Sequence, residues 1–215
     1  PNSNLEFDEA LLIRYLILNR PDLVFGRLKR SWTMLDIGAH NGCFSKPFLE
    51  NGFRVIAAEP NKNLFSALEE LNETQNFALY KNAVSSVPGL ELPFYESEQS
   101  GGIASLLDFT PSHVHTQTVT TITISDIMND QKVEYVDFLK IDVEGHDYEA
   151  LISYPWHKQH PATILVEFED AKISSDVGRV KDVVSFLQGK GYKIIASISE
   201  WEYGKCIHWR KMIEI

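Results

Sequence analysis

The chain is short of the features that mark membrane proteins, disulfide-stapled domains and nucleic-acid binders. It has two cysteines in 215 residues, Cys43 and Cys206. They lie far apart and fit neither a metal-binding nor a redox spacing, so a reducing, cytoplasmic compartment is the simplest setting. Basic residues are scarce: 20 Lys and Arg stand against 30 Asp and Glu, a formal net charge of −10. Binding along a nucleic-acid backbone needs basic stripes, and the one tight early pair, Lys29-Arg30, reads as solvated surface. No apolar run reaches membrane-spanning length, and no signal-peptide pattern opens the chain. Repeats and low-complexity tracts are missing too. The first residue is Pro1 rather than Met, as expected of a segment cut from a longer protein. What is there, 44% hydrophobic and 23% charged residues, is ordinary for one α/β domain with a sizeable core.

Read in order, the chain alternates strand and helix. Residues 5–18 place Glu6, Asp8 and Glu9 ahead of Leu11, Leu12, Tyr15, Leu16 and Leu18 at helical spacing, and Pro21 closes the run. This predicts an amphipathic packing helix and sets residues 1–30 apart as a helical segment before a main domain at 31–215. In that domain strands are expected at residues 32–37, 54–58, 77–84, 136–141, 163–168, 192–198 and 205–213, with helices at 44–50, 61–72, 147–152 and 177–188. The result is a doubly wound, mostly parallel sheet of about seven strands with helices on both faces. No strong helix separates the last two strands, so that pair should be antiparallel. Between residues 85 and 125 the alternation breaks. A short strand at 90–95, a small-residue loop from Gln99 to Ser105 and a β-branched arm from Thr116 to Ile124 read as an insertion.

An open parallel sheet binds ligands at the carboxyl ends of its strands. Here those ends carry polar groups in succession: Asp36-Ile37-Gly38, Glu59-Pro60, Asn82-Ala83, Asp142 with Glu144, and Glu167 with Glu169. Any one acid reads most simply as a cap or a loop residue, but their recurrence at one edge argues for a site. Gly38-Ala39-His40-Asn41-Gly42 follows the first strand and opens a helix, which brings backbone N–H groups to a small ligand. The loop is not Gly-x-Gly-x-x-Gly, and Asp36 on its approach would repel a pyrophosphate. Both facts disfavour NAD and ATP and favour a ligand with a cationic amino-acid head. S-adenosylmethionine fits: Glu59 would take the ribose diol, and a slot near Asn82 and Ala83 the adenine.

The ordered set Asp36-Ile37-Gly38-Ala39-His40-Asn41-Gly42-x-x-Ser45, Glu59-Pro60, Gly101-Gly102-x-x-Ser105, Thr121-Ile122-x-x-x-Asp126 and Phe138-Leu139-Lys140-Ile141-Asp142-Val143-Glu144-Gly145-His146 resembles the FkbM family of S-adenosylmethionine-dependent methyltransferases. It runs from about Thr33 to Glu169, with departures at His40 and His146-Asp147. The resemblance implies a Rossmann-like class I methyltransferase fold. It also implies O-methyl transfer to a hydroxyl of a sugar-containing or secondary-metabolite small molecule. Cofactor contacts are then expected from Asp36, Gly38, Ala39, His40, Asn41, Gly42 and Ser45 around the amino-acid end, and from Glu59 and Pro60 at the ribose. Asn82 and Ala83 are expected at the adenine, Gly102 and Ser105 in a lid, and Asp142 beside the methyl. Asp142 would accept the acceptor's proton, orient its hydroxyl, or hold a divalent cation with Glu167. Glu144, His146 and Glu167 are the further catalytic candidates.

Plainer roles compete with these. His146 begins a helix and is as well read as a capping residue, and His113, His115, His157 and His160 read as loop residues without metal-like spacing. Trp156 and Trp201 suit a core or rim role before a sugar-stacking one. Two other function classes stay open: a nucleoside-binding partner domain without catalysis, which would not depend on Asp142, and a dehydrogenase, which the missing glycine pattern argues against.

Overall fold

A computed structural model describes residues 32–71, 75–97, 104–168, 170–173, 177–198 and 205–211. The predicted helix at 5–18, Gly101, Gly102, Glu169 and Trp201 lie outside the described residues.

The chain is built outward from β1 (Thr33–Ile37), every residue of which is buried. It is flanked by two parallel neighbours, β2 (Arg54–Ala58) and β8 (Phe138–Ile141). With β3 (Phe77–Tyr80), β9 (Thr163–Phe168), β10 (Tyr192–Ile198) and β11 (Lys205–Lys211) they form a seven-stranded sheet in the order β10-β11-β9-β8-β1-β2-β3. Only β11 runs against the rest, antiparallel to both β9 and β10. The mostly parallel α/β sheet with an antiparallel C-terminal strand is the architecture expected from the sequence.

Period-2 alternation divides the sheet into two faces. Leu35, Ile37, Leu139 and Ile141 point to one face, against α3 (Ile124–Asp130), α4 (Asp147–Ile152) and α5 (Val180–Gly189). Met34 and Phe138 point to the other, against α1 (Ser45–Glu50) and α2 (Phe65–Leu71). On that second face Phe48 is fully buried and its ring lies 4.9 Å from Phe138 and 5.1 Å from Phe53. Asp36 and Lys140 stand on the same face as Met34 and Phe138, one pleat nearer the carboxyl edge, and pair directly across β1 and β8. Two charged residues thus sit at the upper rim of an aromatic layer.

A second sheet, in the order β4-β7-β5-β6, comprises β4 (Ala83–Val84), β5 (Glu91–Ser97), β6 (Ala104–Ser105) and β7 (His113–Ile122). Four expectations are corrected here. The strand expected over 77–84 is two pieces: Glu59 N–H to Tyr80 O, 3.0 Å, is the last rung, and Pro60 has no N–H to continue the ladder. Residues 83–84 then pair with β7 instead. The arm expected to run to Ile124 stops at Ile122, because Thr123 and Asp126 form a capping box that starts α3. His113 and His115 belong to β7 and not to a loop. The last main helix starts at Val180 instead of Val177, since Gly178 has φ +91 and its N–H and that of Arg179 bond to Asp182. Trp156 is in the core, its indole N–H donating to Leu151 O at 2.9 Å.

Phe48 joins α1 to the central strands, so Phe48→Ala should destabilise the protein by about 3–5 kcal/mol. Urea denaturation measures this, and a loss under about 1 kcal/mol would mean that the aromatic layer does not hold α1 in place.

Candidate functional site

At the carboxyl edge the chain leaves β1 through Gly38, which has φ +79. A Cβ at Gly38 would stand 1.8 Å from the Asp142 carbonyl oxygen, so only glycine lets the loops after β1 and β8 touch. Asp142 N–H in turn donates to Ile37 O at 3.0 Å. These two loops, with the start of the loop after β2, enclose one side of a cavity of about 240 Å³. Ala83, Phe94, Ala104 and Leu106 of the second sheet region enclose the other side.

Under the cavity lies a buried charge cluster. Asp36 is fully buried; its Oδ2 accepts from Ser45 Oγ at 2.6 Å and its Oδ1 is 3.4 Å from Lys140 Nζ. Lys140 also donates to Gly38 O at 2.7 Å and lies 3.3 Å from Asp142 Oδ2, with the Phe44 ring 5.5 Å away. Burial raises the pKa of Asp36, against the opposing pull of Lys140 and Ser45. Burial works against the charge on Lys140, but Asp142 and Asp36 outweigh it and hold the ammonium protonated. Asp142 is held below the usual carboxylate range: burial pushes it up, and Lys140 with a hydrogen bond to Glu167 overcomes that. Glu167 is pushed up by that same hydrogen bond and by burial. The pair therefore shares one proton, carried by Glu167, with Asp142 ionised.

Glu59, at the far end of the cavity, is buried and accepts from the His40 and Asn61 N–H groups, both at 2.8 Å. Burial lifts its pKa to about 7 despite those two donors. Glu144 has φ +58, which turns its carboxylate onto Lys172, while its carbonyl accepts from Ser105 Oγ at 2.6 Å. Asp142, Glu144 and Glu167 each place a carboxylate oxygen within 4.8 Å of the others, the spacing at which a divalent cation could be held.

The sequence-derived candidates fall into groups. Gly38, Ala39, His40, Glu59, Pro60, Asn82, Ala83, Asp142 and Glu144 line the cavity. Asp36 and Ser45 lie beneath it, bonded to each other, and Ser105 braces the loop that bears Glu144. Asn41 and Gly42 face away, toward Lys46 and Leu71 in a shallow depression beside α2. His146 is not on the wall; its Nε2 lies 3.0 Å from Ser85 Oγ, and burial lowers its pKa. Sequence reasoning did not single out Lys140, although it stands in the quoted Leu139-Lys140-Ile141-Asp142 run. It also missed Asp147, a buried acid that accepts from the Val143 and Gly145 N–H groups, both at 2.9 Å, and so shapes the loop after β8. Burial lifts Asp147 to about 7.

These residues fit S-adenosylmethionine. Phe94, Leu64 and Leu106 offer apolar walls for an adenine, Glu59 an acceptor for ribose hydroxyls, and Asp142 an anionic group for a cationic head.

The profile of the methyltransferase FkbM domain matches residues 36–194. Among solved structures the chain is similar to magnesium protoporphyrin IX methyltransferase from Synechocystis with bound S-adenosylhomocysteine, at 12% identity and a TM-score of 0.50, covering 94% of this chain and 80% of that one. It is also similar to a precorrin-6y C5,15-methyltransferase from Geobacter metallireducens (15% identity, TM-score 0.47, 86% and 83% covered). A ribosomal protein L11 methylase from Lactobacillus delbrueckii is a third (13% identity, TM-score 0.47, 86% and 73% covered). No curated protein sequence matches the chain.

Glu59 and Asp147 give the ligand-free protein a pH dependence. Both pKa values are raised on folding, to about 7, so the stability they contribute is present at low pH and is lost as pH rises through about 7. The melting temperature without ligand should fall by roughly 5 °C between pH 5.5 and pH 8, and Glu59→Gln should flatten that slope. S-adenosylhomocysteine should bind more tightly over the same interval, as Glu59 ionises to accept from the ribose. Scanning calorimetry across the pH range reads both, and a flat wild-type profile would contradict the burial-driven shifts.

Proposed function

The chain belongs to the FkbM family of methyltransferases, with S-adenosylmethionine as methyl donor, and from that premise we propose that it methylates a hydroxyl oxygen of a small, sugar-containing or secondary-metabolite acceptor. The observation that carries this reading is the Asp142 carboxylate on the wall of the cavity, its Oδ2 3.3 Å from the Lys140 ammonium.

The donor supplies an electrophilic methyl group. The chain supplies position and a proton acceptor. The N–H groups expected to meet the ligand are used within the protein instead, those of Gly38 and Ala39 on Ala58 O and that of His40 on Glu59, so the loop shapes the cavity, and the apolar walls exclude water from the reacting end. A hydroxyl entering beside Asp142 donates its hydrogen bond to that carboxylate, which orients the oxygen lone pair toward the methyl. With a donor bound, the C–O bond would form as the methyl–sulfur bond breaks, the electron pair staying on sulfur as a neutral thioether, and Asp142 would take the hydroxyl proton. Glu167 already holds the shared proton, so the pair leaves the reaction with two and releases one to solvent. Lys140 keeps Asp142 anionic until that moment. Glu144, tied to Lys172, bounds the acceptor side of the opening.

A net charge of −10 supports a small acceptor over a polyanionic one. Among the described residues no helix is long and apolar enough to cross a membrane. The exposed free thiol of Cys43 suits a reducing, cytoplasmic setting.

Thermal shift with S-adenosylmethionine, S-adenosylhomocysteine and NAD tests the donor: the first two should stabilise the protein and NAD should not. Sugar nucleotides and glycosylated metabolites, screened with methyl-labelled donor, test the acceptor class. With the acceptor found, Asp142→Asn should lower turnover at least 100-fold, on the order expected for loss of a general base, with S-adenosylhomocysteine binding retained. Full turnover in Asp142→Asn would refute the role given to that carboxylate.

A further inference from the structure

Lys140 is a buried cation on the wall of a cavity that receives a cationic donor. Its position is fixed from every side. The Asp36↔Lys140 register places both side chains on one face of adjacent strands, and Nζ is held by Gly38 O, Asp36 and Asp142 above the Phe44 ring. The nearby charges can be counted. Asp36 and Asp142 lie against the ammonium, Glu167 stands beside Asp142, and Glu59 is a further carboxylate of the same cavity, with Lys140 the one cation on its wall among the described residues. Glu144 and Lys172 neutralise each other.

We propose that Lys140 is a specificity-determining residue for the donor: its buried positive charge limits how strongly the cavity prefers the sulfonium of S-adenosylmethionine over the neutral thioether of S-adenosylhomocysteine. The inference rests on the methyl-transfer reading. The two ligands differ only by a methyl group and the charge on sulfur, so the ratio of their affinities isolates the electrostatic contribution. Methyl transfer removes that positive charge. A fixed cation on the same wall raises the energy of the charged donor more than that of a transition state in which the charge is already fading. The same cation restrains the carboxylates from holding the donor so tightly that its charge becomes costly to lose.

Calorimetric dissociation constants for both ligands at pH 8 test this. In Lys140→Met the preference for S-adenosylmethionine over S-adenosylhomocysteine should rise about tenfold, as expected for unit charges a few ångströms apart in a partly screened site. Lys140→Arg should keep the wild-type ratio within about threefold. Should Lys140→Met fail to fold, Lys140→Gln provides a second neutral replacement that leaves every carboxylate in place, with the same tenfold rise expected. A ratio unmoved in whichever of these neutral variants folds, with both ligands still bound, would overturn the inference and leave the methyl-transfer reading standing. Failure of both ligands to bind the wild-type protein would overturn the two together.

Discussion

The site depends on one buried ammonium group. Lys140 Nζ holds the Gly38 carbonyl at 2.7 Å, Asp142 at 3.3 Å and Asp36 at 3.4 Å. Gly38 belongs to the loop after β1 and Asp142 to the loop after β8, and neither loop would have a defined place without the other. Burying a charge carries a large desolvation cost unless it is paired, and here two carboxylates and a carbonyl offset it. The cost explains the neighbours: Asp36 needs Ser45 for its second oxygen, and Asp142 is left as the anionic member of its pair with Glu167.

The rest of the fold brings that group to the carboxyl edge. β1 and β8 are adjacent parallel strands, so matching positions on them face the same side and end at the same level. Below Lys140 the face is aromatic, with Phe44, Phe48 and Phe138 in mutual contact. This layer seals the cluster from beneath and keeps its dielectric low. Above it the second sheet closes the cavity with small and apolar residues, and Ser105 ties that sheet to the Glu144 loop.

Much of this was legible in the sequence. The bounds of β2, β9, β10 and α4 are those read from the sequence. The loading of strand ends with Asp36, Glu59, Asp142 and Glu167 pointed to the edge of the sheet at which the cavity lies. What stayed hidden required register or handedness. A lysine inside an apolar strand has no meaning until its pairing partner is known, and Asp36 lies 104 positions away. Asn41 and Gly42 look like part of the cradle, but the left-handed turns at His40 and Gly42 carry them to the far side of the loop. The Thr123–Asp126 box was visible as a capping pattern, yet the β-branched run ahead of it masked the change from strand to helix.

The most direct measurement of the central claim is the structure of the protein with S-adenosylhomocysteine bound. The ribose hydroxyls should lie on the Glu59 carboxylate, the adenine against Phe94 and Leu106, and the sulfur toward Asp142 with Lys140 still bridging Gly38 and Asp36. A ligand seated outside this cavity, or seated with its sulfur directed away from Asp142, would contradict the account.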